Sequence, residues 1–383
     1  MSEYQYYEFV AVDRPLDADE LAKVRALSTR ADITPTRFVN EYHWGDFRGN
    51  PRALVESHYD GFLYLANWGT RELMIRLPTG VLKPATASEY CLTDSAESWS
   101  RKGHTIIHVY REGDGDDEFD EDPHGLLGSI ISVRSELAAG DHRLLYLVWL
   151  HSVAEGELDD DVVEPPVPAN LGALSAGLRG FVDFMRLDQD LLDIATQGSP
   201  QATTTKPSAA KLNAWVAGLP AAEKDALIVK VMRGEVHVGP QLMRRFHDGP
   251  EPKAQHVARR SVAELLDAAQ NLREQRARLA AEERERQAQQ RERDAATAFQ
   301  RRLDTLARDP EAAWAQVTTL IETKKAKEYD AAVTLLTELS ALARRDRDLD
   351  RFRKRVAELA ATYAGRPALL ERLRRAGLPA LPG

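Results

Sequence analysis

Hydrophobic and polar positions change period several times along this chain, and each change marks an expected element. Tyr6 to Val12 is aromatic and β-branched, the composition of a strand. Asp17 or Asp19 then caps a helix running to Ser28, with Leu21, Val24 and Leu27 recurring at spacings of three. Thr36 to Trp44 reads as extended. Asn50-Pro51 opens a second helix, the proline standing where a missing N–H costs nothing. Leu54, Phe62, Leu63 and Leu65 are expected on its core side, and Asn67-Trp68-Gly69 at its end. Glu72 to Leu77 alternates, placing Leu73, Ile75 and Leu77 on one face of a strand. His104 to Tyr110 and Arg143 to Leu150 are the strongest strand candidates. The second is nearly all apolar, which suits a central strand covered on both faces. Leu126 to Leu137 fits a helix, although Ile130, Ile131 and Val133 would also suit a strand, and Leu171 to Ile194 fits another helix.

Beyond residue 196 the period becomes helical throughout. Residues 208–250 give three short helices, with Trp215 and Leu219 in the first, Leu227, Ile228 and Val231 in the second, and Leu242 and Phe246 in the third. Pro252 and Pro310 then bracket 57 residues free of proline, and no glycine lies between Gly249 and Gly365. Ala, Arg, Gln and Glu dominate this stretch, so it reads as one helix of about 85 Å at roughly 1.5 Å per residue. Val262, Leu265, Ala269, Leu272 and Leu279 form a heptad-like seam, which fades where Glu282 to Asp294 carries a single alanine as its only apolar residue. Phe299, Leu303 and Leu306 restore a stripe. Anchored ends around a bare charged middle are therefore expected, with dimerisation through the helix as an alternative. Trp314, Val317, Leu320 and Ile321 begin a terminal bundle, and Tyr329, Val333, Leu336, Leu339 and Leu342 continue it. Phe352, Val356, Leu359 and Tyr363 follow, then Leu369, Leu370 and Leu373. No second copy at a repeat period appears, so a repeat array is not expected.

Composition sharpens this division. Residues 1–200 hold 17 Lys and Arg against 35 Asp and Glu, a net of −18, and residues 201–383 hold 34 against 25, a net of +9. The sign changes at Gln197 to Pro207, a stretch with linker composition. The expected organisation is an acidic α/β domain over 1–196, a linker over 197–207 and a helical segment over 208–250. A long charged helix over 253–309 and a helical bundle over 310–378 complete it. The fold class is multidomain α/β or α+β plus all-α, with an N-terminal mixed sheet carrying packed helices. A hydrophobic fraction of 43% rules out wholesale disorder. The longest apolar run, Leu144 to Leu150, falls far short of the roughly 20 residues of a membrane span, so no membrane is expected. The first residues lack a basic stretch followed by an apolar one, and the lone Cys91 excludes an intramolecular disulfide. A reducing cytoplasm is the simplest setting.

Candidate chemistry is sparse. Phe38 to Asn50 gathers Glu41, Tyr42, His43, Trp44 and Asp46 among aromatics and glycines. His43 and Asp46 could form an acid–base pair, and Tyr42, Trp44 and the nearby Trp68 could stack a planar ligand. The competing reading makes the aromatics core or cap residues and the glycines loop formers. Glu112 to Asp122 places eight carboxylates in 11 residues, but Phe119 and Gly125 occupy positions where a calcium loop needs glycine and glutamate. A solvated loop is expected there. On a strand His104 and His108 lie roughly 13 Å apart, too far to share a metal. No phosphate-binding glycine loop, zinc-protease motif or nucleophile elbow is present. Neither cofactor nor metal is expected.

The stretches from Ala26 to Phe47 and from Phe62 to Arg71 resemble an uncharacterised family of bacterial proteins, and the resemblance extends over most of the chain. It implies a bacterial cytoplasmic setting and carries over no catalytic residue. The expected function is a non-enzymatic protein-interaction or scaffold protein acting through its helical C-terminal half, with an unidentified protein partner and homodimerisation as an option. Nucleic-acid association through Arg273, Arg276, Arg284, Arg291, Arg301 and Arg302 is an alternative from another class. A hydrolase or nuclease centred on His43 and Asp46 is a third.

Overall fold

A computed structural model describes residues 3–113, 122–200, 209–233, 238–247 and 259–378. The chain divides into two compact units, Met1–Gln275 and Arg276–Gly383. Much of the acidic loop 112–122 and of the linker 197–207, and the expected start of the long helix at 253, lie outside the described residues.

The first unit is built on strands β1 (Gln5–Val10), β2 (Asp32–Ile33), β3 (Arg37–Tyr42), β4 (Gly61–Ala66), β5 (Arg71–Pro78), β6 (Ala96–Arg101) and β7 (His104–Arg111). They form one sheet in the order β2-β3-β1-β4-β5-β7-β6. Every described pairing is antiparallel, so the α+β form of the fold is the one present. Helices α1 (Ala18–Arg25), α2 (Pro51–Ser57), α3 (Pro84–Ser88), α4 (Leu126–Ile130), α5 (Val133–Ala138) and α6 (Arg143–Ala154) belong to this unit. So do α7 (Ala176–Phe184), α8 (Gln189–Gln197), α9 (Ala209–Gly218), α10 (Ala221–Met232) and α11 (Val238–His247).

Strand alternation divides the apolar side chains between two cores. Phe9, Phe38, Phe62, Met74 and Ile106 pack with Val24 of α1 and Leu54 and Val55 of α2. Leu63, Leu65, Leu73, Ile75, Ile107 and Val109 face the opposite way and pack with α4 to α8. Asp17 begins α1 with the expected cap, its carboxylate accepting from the Glu20 N–H while Glu20 reaches back to the Asp17 N–H.

Four expectations are corrected. Arg143 to Leu150 is not a strand but the first turns of α6, and every residue from Leu144 to Val153 is buried. A continuous apolar run suits a helix wrapped by core on all sides as well as it suits a central strand, so periodicity could not separate them. Phe62, Leu63 and Leu65 do not continue α2, which stops at Ser57; they form β4, and Trp68-Gly69 is the turn into β5, Gly69 taking φ +92°. Leu171 to Ile194 breaks into α7 and α8 around Arg186, which holds φ +51°. Leu126 to Leu137 is likewise two short helices. The strands β2 and β6 and the helix α3 had no strong pattern to announce them.

A buried ionic cluster ties the sheet to α5. Arg76 donates to Asp60 Oδ1 from Nε and Nη2 at 3.1 and 2.9 Å, and Asp60 Oδ2 accepts from the Val12 and Asp13 N–H groups at 2.7 and 2.9 Å. Arg134 donates to both Asp13 oxygens at 3.0 and 2.8 Å and to the Arg76 carbonyl at 2.8 Å. Two cations face two carboxylates, and the paired geometry offsets the cost of removing them from water.

Helix α12 (Val262–Arg308) begins in this unit. Val262, Leu265 and Ala269 are buried in the larger core, and Leu272 packs against it. Arg260, just before the helix, donates to both Glu164 oxygens at 3.0 and 2.7 Å, and the Tyr146 hydroxyl donates to the same carboxylate. Ser261 and Glu264 close a reciprocal cap, and Ser261 bridges to Val163.

The second unit contains the remainder of α12 with α13 (Pro310–Glu322), α14 (Ala326–Arg345), α15 (Leu349–Thr362) and α16 (Pro367–Arg375). Leu303 near the end of α12 is buried with Val317, Ile321, Leu336, Leu339, Val356 and Leu369, the stripes the sequence marks out. Between the two packed ends, residues 273–302 are exposed except for the half-buried Glu283. Leu279 is 55% exposed, so the heptad-like seam stops short of it. The buried part of that seam packs on its own unit.

Candidate functional site

The α1/α2 side of the sheet becomes polar toward one end. Register sets Phe38, Phe9, Phe62, Met74, His108 and Glu97 in one row across six strands. The next row on that face runs Asn40, Tyr7, Tyr64, Glu72, Tyr110. Residues as far as 57 positions apart in sequence, Tyr7 and Tyr64, thus meet as cross-strand neighbours.

His108 stands between two carboxylates. Its Nε2 lies 2.8 Å from Glu72 Oε1 and its Nδ1 lies 3.1 Å from Glu97 Oε1. The Nε2 contact is an ion pair without the alignment of a hydrogen bond. Burial pushes the imidazole pKa down, but Glu72 and Glu97 outweigh it and the net shift is upward. Glu97 also accepts from Arg52 at 2.8 Å, and the Arg52 guanidinium lies 3.6 Å from the centre of the Trp99 ring. Trp99 donates to Glu56 at 2.9 Å. The group is a network of paired charges knitting β5, β7, β6 and α2 together.

At the other side of the row Gln5 is fully engaged. Its Oε1 accepts from Tyr7 and Tyr64 at 2.8 and 3.1 Å, and its Nε2 donates to the Gly45 carbonyl and to Asp46 Oδ1 at 3.1 and 2.8 Å. Burial raises the Tyr7 phenol to about 12 and raises Tyr64 further, so both stay neutral donors.

The sequence candidates surround this end without forming a catalytic pair. Tyr42 accepts from Asn40 at 2.7 Å and packs edge-on against Tyr7. Asp46 is exposed and holds Gln5. His43 is exposed, its ring 5.4 Å from that of Tyr4, and no hydrogen bond or ion pair joins it to Asp46. Trp44 is 68% exposed beneath Arg30, and Trp68 is 37% exposed in the β4–β5 turn. His104 lies in contact range of the Lys102 carbonyl rather than near His108's carboxylates. Sequence reading missed Glu72 and Glu97 as partners of His108, because nothing local to any of the three announces the register that joins them.

Chemically the patch can hold a proton on an imidazole between carboxylates. Among the described residues no group of three or more His, Cys, Asp or Glu side chains is disposed to hold a metal ion. Cys91 is a poor nucleophile, its thiol pushed up to about 12 by burial. None of the described helices is long and apolar enough to cross a membrane. Compared with family models, curated proteins and solved structures, the chain matches none.

Proposed function

We propose that this is a non-enzymatic interaction protein of the bacterial cytoplasm, working through its helical C-terminal half. One observation carries the reading: over the thirty residues 273–302 of α12 all but the half-buried Glu283 stay exposed while the helix is anchored at both ends. Holding them in one conformation costs on the order of 1–2 kcal/mol each in backbone entropy, and no core burial along the stretch offsets it. Helix-forming composition and pairs such as Gln287 with Glu283 and Gln290 with Asp294 supply a few tenths of a kcal/mol each. A segment maintained this way fits a spacer or a docking surface.

The polar patch fits a structural role better than a catalytic one, since its carboxylates are committed to His108, Arg52 and Gln5. Nucleic-acid association is the weaker alternative, because residues 273–302 interleave nine arginines with six carboxylates, a net charge of only +3. Tagged full-length chain, cross-linked in its native host and purified at moderate salt, should bring down a partner in stoichiometric amount that rebinds the pure chain. Recovery of nothing but the bait in repeated captures refutes the proposal. Retention on DNA that falls steeply with salt would favour the alternative.

A further inference from the structure

The charges on the exposed part of α12 are segregated around the helix. At about 100° per residue, Ala277, Arg284, Arg291 and Ala298 fall at seven-residue intervals on one line, flanked by Ala288 and Ala295. This face carries no carboxylate from Ala277 to Ala298. The nearest ones, Asp294 and Glu283 on one side and Glu292 and Glu285 on the other, stand roughly 70–110° around the helix. Arg284 has only alanine or glutamine three and four residues away. Arg291 has one acidic neighbour at that spacing, Asp294, whose carboxylate accepts from Gln290. Neither arginine forms an ion pair among the described residues, whereas Arg286 pairs with Glu283.

We infer that this face docks one amphipathic helix of a different protein, with carboxylates at seven-residue spacing on its contact stripe and basic residues on its flanks. The alanines let another helix approach closely, and the seven-residue spacing keeps the contact in register along both helices. A second copy of the chain does not fit. Parallel in-register pairing sets each arginine against itself, and antiparallel pairing about the midpoint sets Arg284 against Arg291, like charges in both cases. A nucleic-acid duplex fits poorly, since it is wide enough to meet the flanking carboxylates and residues 277–298 have no net charge to attract it. A helix about 10 Å across sits between those flanks and can pair with them.

The inference deepens the interaction reading and can fail separately from it. The probe is a labelled synthetic helix of about four heptads, with Ala and Glu on one stripe and Lys on the flanks, titrated against the full-length chain by fluorescence anisotropy. A second probe exchanges Glu and Lys. The Glu-stripe probe should bind, and R284E/R291E should weaken it by about tenfold or more while strengthening the exchanged probe. The substitution R293E, on the opposite side of the helix, should leave the Glu-stripe probe's affinity within about twofold. Affinity indifferent to R284E/R291E overturns the inference, as does a chain that is dimeric alone and becomes monomeric in that variant. A host partner still captured undiminished by R284E/R291E would also overturn it, while leaving the interaction reading standing.

Discussion

Arg134→Met tests whether the buried ionic cluster holds the first unit together. Met keeps most of the apolar stem and removes the guanidinium, which now donates twice to Asp13 and once to the Arg76 carbonyl. Asp13 would lose the Arg134 guanidinium, and Asp60, 1% exposed, would retain Arg76 and the Val12 and Asp13 N–H groups against its negative charge. Breaking a buried pair from one side costs about 3–5 kcal/mol, well above the value of the pair itself, because the remaining charge stays desolvated. Adding Asp13→Asn should therefore recover part of the loss, with a coupling of roughly 1–3 kcal/mol. Hydrogen exchange followed by mass spectrometry suits the question, since peptides from the second unit serve as an internal reference. At about 1.4 kcal/mol per factor of ten, exchange in β1 and β5 should accelerate by roughly a hundredfold to a few thousandfold in R134M. Peptides from residues 310–375 should not change. A loss below about 1 kcal/mol, or a double variant as damaged as the two singles added together, would show that the cluster contributes packing rather than charge pairing.

Three further outcomes follow from the same structure. His108 binds its proton more tightly in the fold, so its contribution is complete below the ordinary value near 6.5 and disappears as pH climbs through the folded value; urea midpoints between pH 6 and 9 should fall more for the natural chain than for H108Q, and parallel curves would refute the pairing. On α12, L265A should cost about 2–5 kcal/mol and L279A less than about 0.5 kcal/mol by thermal or urea unfolding, because Leu265 is fully buried and Leu279 is not. Equal losses would mean that Leu279 is covered. Cys91 should resist iodoacetamide at pH 8 in the folded chain and react once urea unfolds it, its thiol being held at about 12 by burial. Rapid native labelling would contradict the packing around it.

Much of the architecture is carried by local pattern. The alternation in β5, the aromatic run of β1 and the Asp17–Glu20 capping box each specify their element within a few residues. The absence of proline and glycine marks α12, although the helix starts at Val262 and not at 253, and stripes at spacings of three and four mark the terminal bundle. These are short-range preferences of backbone and side chain, so they survive reading one residue at a time. The candidate site was only half legible. Tyr42, His43, Trp44 and Asp46 could be picked out as a polar aromatic loop, but the group most tightly paired nearby, Glu72 with His108 and Glu97, could not.

What only the tertiary structure decided is which surfaces meet. The run from Leu144 to Leu150 is equally apolar as strand or helix, and it became α6 because core closes around every side of it. His108 gained its two carboxylates through the register of β5, β7 and β6, since a one-residue slip of β7 would have turned His108 to the other face, away from both. Sequence by itself determined which segments of this protein are helix formers, where its charge changes sign and where a long helix must run. The pairing of distant segments determined the rest, because contacts across a sheet depend on register and burial, which belong to the folded chain as a whole.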